Sequence, residues 1–478
     1  MFYIRGNKLD YDEWAADGNY GWDYESVLQY FKKSENFTGT LNDENAKYHG
    51  TGGYLNVEKT PMHPLENILL RAVSEIGITV REDLNTESQM GVMKSFSTTK
   101  NGHRHSTARA FLNPVKDRPN LHVVKNALVT KIVFKPFSNI VDGVMIQKDG
   151  QNITVKAKKE VISSGGAINS PQLLLLSGIG PRKQLEDLDI DVIADLPVGE
   201  NLQDHYFAMM YYKMPSDENE RIMGSTEKII RHFSDFIIKQ SGVFSDVSPH
   251  LVTSFVNTTD AESTSPDMQQ HFIVFPAGLL KNVMDMFTLH NLNDQFSKYM
   301  KDINNENTIL MVFNVLLQPK SKGQIVLKSK DPKDHPLIYP NYFENDEDMR
   351  TLVRGIKQYL ALSKTEAFKE AGLELFWPKL PTCSLFEHGS DEYLECHARE
   401  LTHSLYHPTS TAKMGPDDDE TAVVNPELKV RKIRGLRVID ASIMPKIPRG
   451  NTNAPCIMIG EKGADLIKKD WLNVHSEL

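Results

Sequence analysis

The chain has 478 residues, of which 40% are hydrophobic and 24% are charged, and its net charge is −9. This length is too great for one ordinary hydrophobic core, so we expect two domains or one interleaved pair. The acidic balance, without a basic cluster, argues against nucleic acid as a partner. The longest apolar runs, such as residues 173–176, are far too short to form a membrane span.

Two further features bear on the cellular compartment. The N-terminal residues contain no apolar stretch, so the chain as it stands carries no secretory signal. The three cysteines, Cys383, Cys396 and Cys456, show no paired spacing, and we therefore expect neither a disulfide framework nor a zinc site. The sequence leaves the compartment open.

The first part of the chain predicts short helices separated by turns. Apolar residues recur at helical spacing over residues 24–33 and 64–77. A glycine turn leads into a strand over residues 50–57, and a short helix within residues 101–114 is ended by its proline.

A β-rich tract follows. Turn signals separate three strand-like runs at residues 121–134, 143–147 and 152–157, which predicts a meander. A strand, a Gly-Gly turn and a helix opened by Ser170 and Pro171 come next.

The middle of the chain gives a weaker pattern. Residues 190–205 look strand-like, whereas residues 214–316 combine amphipathic helices with polar loops. A segment of the second kind often shapes a substrate pocket, although it could equally be packing. Beyond it we expect strand, turn and strand over residues 321–343, a long helix over residues 347–363, and a polar loop region over residues 383–400.

The stretch from residue 433 to residue 469 is the strongest local signal. A short strand stops at Asp440, a turn-rich loop follows, and Asn451, Thr452 or Asn453 then caps a helix. A helix N-terminus carries partial positive charge and can hold a phosphate, an oxyanion or an electron-rich ring. An ordinary strand–helix unit of a doubly wound sheet explains the same pattern, so other motifs must decide.

His407 lies shortly before this stretch, in SLYHPTSTAKMG. A lone histidine is most often a packed or surface residue, but one that is followed by Pro408 is held on a rigid loop, as a general base requires. His403 is four residues away, which could place two metal ligands on one helix face. HSLYH lacks the glutamate of H-E-x-x-H, and Pro408 argues against a helix, so we predict no metal site.

Several catalytic motifs are absent from the sequence. It contains no G-x-S-x-G, which argues against an α/β-hydrolase. It contains neither G-x-G-x-x-G nor G-x-x-x-x-G-K-[ST], so no phosphate-binding loop can be assigned.

The remaining motifs resemble one family, the glucose–methanol–choline (GMC) flavin oxidoreductases. GAINSPQLLLLSGIG (residues 166–180) matches the second signature of that family at every defined position. Further segments resemble landmarks of its animal glucose-dehydrogenase-like branch, among them YIRGNKLDYDEWA, NGHRHSTARAFLNP, DLPVGENLQDH, HPTSTAKMGP and RGNTNAPCIMIGEKGADLI.

This resemblance implies a fold of mixed α/β class with two domains. One is a Rossmann-like FAD-binding domain, and the other is a substrate domain in which an antiparallel sheet with helices covers the flavin. By position, we expect residues 1–213 to form the N-terminal, FAD-binding region and residues 214–317 a variable segment of the substrate domain. Residues 318–468 would then close the substrate sheet and return the active-site strand and helix.

The resemblance also implies site residues. His407 matches the base that takes the hydroxyl proton of an alcohol while hydride passes to flavin N5, and Asn453 matches the second member of the catalytic pair. Cofactor contacts are expected from five positions: Val129 at the adenine, Asp440 and Ala441 at the end of the strand beside the flavin, Thr452 at the pyrimidine edge, and Asn453 at the helix start.

The chain departs from the family pattern at its front. Relatives begin with a βαβ unit that carries the glycine fingerprint, whereas this chain starts inside the tail of the first signature. We therefore expect a truncated gene model, an isoform or a fragment, with an incomplete Rossmann-like domain that holds FAD less tightly.

Two hypotheses follow for the function. The first is an FAD-dependent dehydrogenase or oxidase that acts on CH–OH groups of a sugar or other alcohol, with a quinone or oxygen as electron acceptor. The alternative is a non-catalytic form that cannot hold FAD. Relatives of this branch are commonly secreted, but nothing in this sequence assigns a compartment.

Overall fold

The computed structural model describes residues 1–59, 65–216, 226–239, 250–282 and 292–472. The α-helices are α1 (Lys8–Ala16), α2 (Tyr24–Ser34), α3 (Glu66–Glu75), α4 (Gly166–Leu176), α5 (Arg182–Asp187), α6 (Thr226–Lys239), α7 (Leu279–Asn282), α8 (Asp294–Glu306), α9 (Asp346–Leu360), α10 (Glu366–Ala371), α11 (Asp391–Leu401) and α12 (Asn453–Leu472). Short 3-10 turns lie at Asn113–Val115, Ala361–Lys364, Pro381–Cys383 and Ala441–Ile443, and a π-turn lies at Ala108–Leu112.

Nineteen strands occur in the described ranges. They are β1 (Glu35–Phe37), β2 (Leu55–Lys59), β3 (Gly91–Lys94), β4 (Phe96–Ser97), β5 (Thr99–Lys100), β6 (His103–Arg104), β7 (Leu128–Phe134), β8 (Val141–Lys148), β9 (Gln151–Lys156), β10 (Val161–Ser163), β11 (Tyr206–Pro215), β12 (His250–Val256), β13 (Met268–Phe275), β14 (Asn307–Leu316), β15 (Gln324–Val326), β16 (Leu337–Tyr339), β17 (Glu374–Phe376), β18 (His403–Ser404) and β19 (Leu436–Val438). No helix among the described residues is both long and apolar enough to cross a membrane.

One seven-stranded antiparallel sheet dominates the molecule. Its strand order is β17-β11-β14-β13-β12-β3, and β18 pairs with β11 beside β17. Strands from all three predicted regions of the chain enter this sheet. The sheet takes strands from both sides of residues 213 and 317. The division of the chain at these residues remains a prediction.

The two faces of this sheet pack into two different cores, as the alternation of β11 shows. Phe207, Met209 and Tyr211 enter one hydrophobic core, whereas Tyr206 and Met210 enter the other. Successive side chains of a strand point to opposite faces, so a strand that separates two cores is apolar at every position. Helices α3, α9 and α11 cover the second core.

A second, much smaller sheet is parallel and consists of β10 and β19. Next to it lies the antiparallel meander β7-β8-β9, as the strand-like runs predicted. The mixed fold, with a parallel element and a separate antiparallel sheet with helices, confirms the α/β class expected from the sequence.

Helix α4 begins four residues earlier than we predicted. The Asp440 carboxylate accepts a hydrogen bond from the Gly166 backbone N–H (2.9 Å) and one from the Ser170 hydroxyl (2.6 Å), so the helix starts at Gly166. Pro171 consequently lies inside the helix, where it cannot donate to the Ala167 carbonyl. The Thr411 hydroxyl donates to that carbonyl instead, at 2.7 Å.

Three other expectations were wrong. Residues 190–205 form no strand among the described elements but a loop anchored by isolated bridges. Residues 214–316 contain helices, as predicted, at α6 and α8, but they also contain the strands β12, β13 and β14, which were not predicted and are buried on both faces. The region predicted as a polar loop contains α11, whose N-cap Ser390 accepts from the Tyr393 backbone N–H.

The absence of a disulfide was also predicted wrongly. Cys383 and Cys396 form a disulfide between a 3-10 turn and α11, with their Cα atoms 5.7 Å apart. Cysteine spacing carries no information about this pairing, because the fold of the intervening residues brings the two side chains together. Cys456 is the free cysteine of the three.

Candidate active site

His407 lies on a loop that begins at β18 and is held by buried polar groups. The Asp204 carboxylate accepts a hydrogen bond from the His407 backbone N–H at 2.9 Å and further bonds from the hydroxyls of Ser404 and Tyr342. Tyr406, directly before His407, has a φ of 59°, a conformation that is uncommon outside glycine. Such a conformation persists only where the surroundings impose it, and here the Asp204 contacts do so.

A short stretch, which we call the bridging segment (residues 203–205), joins this loop to the rest of the site. Gln203 exchanges backbone hydrogen bonds with Thr409, and the His205 carbonyl accepts from the Leu405 backbone N–H at 2.7 Å. The Gln203 side chain also bonds the backbone at Pro445 and Ile447, at 3.2 Å and 3.1 Å. The bridging segment therefore ties the His407 loop to the loop that leads into α12.

The imidazole of His407 has a partner at each ring nitrogen. Its Nδ1 lies 2.9 Å from Nδ1 of His205, and its Nε2 lies 3.4 Å from Nδ2 of Asn451. Desolvation by burial, followed by the nearby imidazoles of His205 and His271, lowers the pKa of His407 well below its ordinary value. A histidine in this environment is neutral at physiological pH and can accept a proton.

Asn451 is buried, and its orientation is fixed by hydrogen bonds. Its Oδ1 accepts from Nε2 of Gln269 at 3.1 Å, which turns its Nδ2 donor toward His407. The preceding residue but one, Arg449, forms a buried ion pair with Asp10, whose carboxylate also accepts from the Arg449 backbone N–H at 2.7 Å. Helix α1 thereby anchors the loop that carries Asn451.

Asn453 is the first residue of α12, so Thr452, one of the three predicted caps, occupies the position before the helix. Its Nδ2 is buried and has no hydrogen-bond partner within the described part of the chain. A buried amide donor without an acceptor costs free energy, so its presence points to a ligand acceptor at this place. Thr452, the residue before it, is also buried.

Asp440 and Ala441 lie where β19 ends. Besides the bonds from Gly166 and Ser170, the Asp440 carboxylate accepts one from the Ser442 backbone N–H at 2.8 Å. Its side chain thus joins β19 to the start of α4, and Ala441 opens the 3-10 turn that follows.

Val129 lies on β7, in the wall of a cavity of about 720 Å³. The same cavity is lined by Ser163, Ser164 and Gly165, at the carboxyl end of β10. In open parallel sheets, ligands bind beyond the carboxyl ends of the strands. Gly165 precedes Gly166, whose backbone N–H donates to the Asp440 carboxylate, so the cavity and the Asp440 side chain are neighbours.

The structure therefore places the expected residues in two adjoining regions. His407 contacts Asn451. Thr452 and Asn453 follow Asn451 directly, where the loop enters α12. Val129 lies in the cavity. Asp440 bonds Gly166 beside the cavity, and its neighbour Ala441 accepts from the Ser410 backbone N–H, on the loop that follows His407. His403 and His407 do not share a helix, and the described residues contain no group of three potential metal ligands.

Sequence reasoning missed Asn451, His205 and Asp204 as site residues. Asn451 was considered only as a helix cap, and its contact with His407 depends on the direction of a loop that no periodicity reveals. Asp204 and His205 end the quoted segment DLPVGENLQDH, and this pair of adjacent titratable residues was the available signal.

Comparison with known proteins gives consistent matches along the chain. Models of the GMC oxidoreductase family match residues 1–207 and residues 319–460. The chain is 40% identical over 474 residues to a glucose dehydrogenase [FAD, quinone] of Drosophila pseudoobscura pseudoobscura, covering 98% of this chain and 72% of the relative. It is 34% identical over 475 residues to an ecdysone oxidase of Spodoptera littoralis, covering 98% and 76%.

A solved structure of formate oxidase from Aspergillus oryzae has a similar fold. Its TM-score is 0.85 at 24% sequence identity, and the match covers 99% of this chain and 83% of the formate oxidase. The antiparallel sheet and the small parallel sheet are thus parts of a known two-domain architecture.

Proposed function

The chain belongs to the GMC oxidoreductase family, and from this premise we propose that it oxidises the CH–OH group of a small alcohol or sugar with FAD as cofactor. The observation that carries the proposal is the contact between the imidazole of His407 and the buried amide of Asn451, two residues before Asn453, whose amide nitrogen has no partner among the described residues.

The residues present fit a flavin nucleotide. The orphaned Nδ2 of Asn453 needs an acceptor, and the N-terminus of α12 favours negative charge at the same place. The cavity at the carboxyl end of β10 has room for a large ligand and presents Val129 in its wall. We propose that Val129, Asp440, Ala441, Thr452 and Asn453 hold the cofactor, which when bound supplies the acceptor for the hydride of the substrate carbon.

His407 is the proposed base. A substrate hydroxyl that reaches Nε2 of His407 gives up its proton to that nitrogen, and the C–H bond of the carbinol then breaks heterolytically to leave a carbonyl. One alcohol thereby loses one proton and one hydride. The lowered pKa of His407 keeps the ring neutral, so the base is ready before the substrate arrives.

The amides of Asn451 and Asn453 have a complementary role in this proposal. Each presents an N–H donor that does not titrate near neutral pH. A donor fixed in a buried site stabilises the negative charge that develops on the substrate oxygen while the proton leaves. The hydrogen bond from Gln269 to Asn451 preserves this orientation without substrate.

The electron acceptor and the exact alcohol are finer proposals. Relatives include a glucose dehydrogenase named for FAD and quinone and an ecdysone oxidase, so we propose a quinone or oxygen as acceptor and a sugar or a sterol-like alcohol as donor. We also keep the proposed division at residues 213 and 317 into cofactor and substrate regions.

The test is flavin retention followed by substrate reduction. The purified chain is incubated with FAD and desalted, and its absorbance spectrum is recorded before and after anaerobic addition of glucose, choline or an ecdysteroid. Each alcohol is paired with an analogue that lacks the reacting hydroxyl. Bleaching of the flavin band by an alcohol but not by its analogue is the expected result. If no FAD is retained, or if no member of a broad alcohol panel bleaches it, the proposed function is wrong.

Reoxidation identifies the acceptor. The reduced protein is mixed with either aerated buffer or a soluble quinone under anaerobic conditions, and the return of the flavin band is timed. Much faster reoxidation by the quinone indicates a dehydrogenase, and the reverse indicates an oxidase.

A further inference from the structure

His205 is buried directly behind His407, on the side that faces away from Asn451. Its Nε2 lies 3.1 Å from the backbone carbonyl oxygen of Leu317. A carbonyl oxygen can only accept a hydrogen bond, so Nε2 of His205 must carry the proton. In a neutral imidazole the other nitrogen, Nδ1, is then bare and can only accept.

The direction of the next hydrogen bond follows from the first. Nδ1 of His205 lies 2.9 Å from Nδ1 of His407, and because the His205 nitrogen is bare, the His407 nitrogen must be the donor. His407 therefore carries its proton on Nδ1, and its Nε2 is bare. Asn451, whose Nδ2 lies 3.4 Å from that Nε2, supplies a donor and not a competing acceptor.

We infer that His205 is a positioning residue that fixes His407 in the tautomer whose Nε2 lone pair can accept a substrate proton. This inference rests on the proposed role of His407 as the base. The hydrogen bonds run from the Leu317 carbonyl through two imidazoles to Nε2 of His407. A main-chain atom just after β14 therefore selects the basic nitrogen.

The surroundings of His205 keep the relay in this direction. The ring is fully buried, and the neighbouring carboxylate of Asp204 is occupied by Ser404, Tyr342 and the His407 backbone N–H. Desolvation lowers the pKa of His205 to about 4. Were His205 protonated, its Nδ1 would donate instead, Nε2 of His407 would hold the proton, and the base would be lost.

Two variants at one position separate this role from simple packing. His205→Asn places an amide oxygen the same number of bonds from the backbone as Nδ1, so an acceptor for His407 remains. His205→Phe fills the space with a ring that cannot accept. If His205 only fills space, His205→Phe should resemble the wild type more than His205→Asn does, both in the His407 tautomer and in the rate of flavin reduction. The tautomer role reverses that order.

The first readout needs no cofactor and no substrate. The chain is labelled with ¹⁵N-histidine, and the ring nitrogens of His407 are identified among the 16 histidines by their loss in a His407→Gln variant. We expect a protonated Nδ1 and a bare Nε2 in the wild type and in His205→Asn, and a mixture of tautomers in His205→Phe. A protonated Nε2 in the wild type would overturn the inference even if no variant folded.

The second readout is anaerobic reduction of bound flavin by an alcohol substrate. We expect His205→Phe to lower the limiting rate by about tenfold or more without a comparable change in the half-saturating substrate concentration. His205→Asn should recover most of that rate. Equal rates in the two variants, or a faster His205→Phe, would overturn the inference. If the wild type itself is not reduced, the proposed function fails, and the nitrogen shifts still decide the tautomer.

Discussion

Two neighbouring regions of this molecule are built in opposite ways. Around His407, buried polar groups hydrogen-bond one another, from the Asp10–Arg449 pair through Asn451 to the bridging segment, although single atoms such as Nδ2 of Asn453 have no partner among the described residues. Around Val129, residues of β7, β8, β9 and β10 line an open cavity, and several of its apolar side chains, such as Val155 and Ile162, are exposed. Hydrogen bonds in the first region fix the positions of the side chains that are proposed to react. The second region provides an apolar surface for a ligand but few hydrogen bonds that would orient it.

This difference predicts opposite responses to substitution. A buried network loses much stability when one partner is removed, because the remaining partner keeps its desolvation cost. An exposed apolar wall tolerates substitution and changes only what binds to it. The predictions below test this contrast, beginning with the largest expected effect.

Asp10→Ala should destabilise the protein most. It removes the buried partner of the Arg449 guanidinium and leaves only the partly exposed Glu13 carboxylate, at 3.5 Å, and removing one member of a buried pair costs about 3–5 kcal/mol. Denaturant unfolding of the variant measures the loss. Asp187→Ala, which breaks an exposed pair with Lys183, is the control and should leave unfolding unchanged. Similar midpoints for the two variants would contradict the contrast.

Reduction of the Cys383–Cys396 disulfide should cost about 3 kcal/mol, the value expected for a closed loop of this length. The disulfide anchors α11, the helix that precedes β18 and the His407 loop, so the melting temperature should fall when a reductant is added. A Cys383→Ala/Cys396→Ala double variant should melt lower and no longer respond to the reductant. A melting temperature of the wild type that is insensitive to reductant would be inconsistent with the bond.

His397 should make the stability of the protein depend on pH, because its ring, unlike those of His205 and His407, has no hydrogen-bond partner among the described residues. Its two ring nitrogens are buried without partners among the described residues, and desolvation lowers its pKa to about 4. The unfolded chain protonates this ring near pH 6.5, so stability is lost as the pH falls from about 6.5 to about 4. The free energy of unfolding of wild type and His397→Leu should diverge over this interval, by up to about 3 kcal/mol at its lower end. Parallel pH profiles would show that His397 takes up its proton at the same pH in the folded and the unfolded protein, which would contradict the prediction.

Val129→Asp should have the smallest effect on stability. Because Val129 is partly exposed in an open cavity, unfolding should change by less than about 0.5 kcal/mol. The affinity for FAD, followed by quenching of flavin fluorescence, should nevertheless fall, since a carboxylate would replace an apolar wall beside an anionic ligand. Ile153→Asp on the exposed strand β9 is the matched control and should bind FAD as the wild type does. Equal weakening by both variants would remove Val129 from the proposed site.

Helices with one apolar face were predictable from the sequence. The helices at α2, α3 and α9 were expected within a few residues of their observed bounds, because each buries one face and exposes the other. The meander β7-β8-β9 was predictable for a different reason, because turn residues separate its strands.

Elements buried on both sides were not predictable in this way. Strands β13 and β14 lie in the centre of the large sheet and are covered on both faces, so their apolar residues do not alternate with polar ones. The chain order likewise hides long-range pairs, such as Cys383 with Cys396 or His205 with His407, which are separated by 13 and 202 residues.

The candidate site was predictable only where a motif fixes the residue. The resemblance singled out His407 and the start of α12, and the structure brings that helix start close to His407 through Asn451. The assignment of Asn453 and of the cofactor residues stays a prediction. Nothing in a one-dimensional pattern specifies which of two neighbouring asparagines turns its amide toward the imidazole, because Gln269 on a distant strand decides it.

The central claim is that His407 takes the substrate proton, and single-turnover kinetics test it most directly. The FAD-loaded chain is mixed anaerobically with a substrate alcohol, and the rate of flavin bleaching is compared between the wild type, His407→Ala and the exposed-histidine control His122→Ala. We expect His407→Ala to be slower by roughly 10²–10⁴-fold and His122→Ala to be unchanged. A loss of less than about tenfold in His407→Ala would contradict the role of His407 as the base.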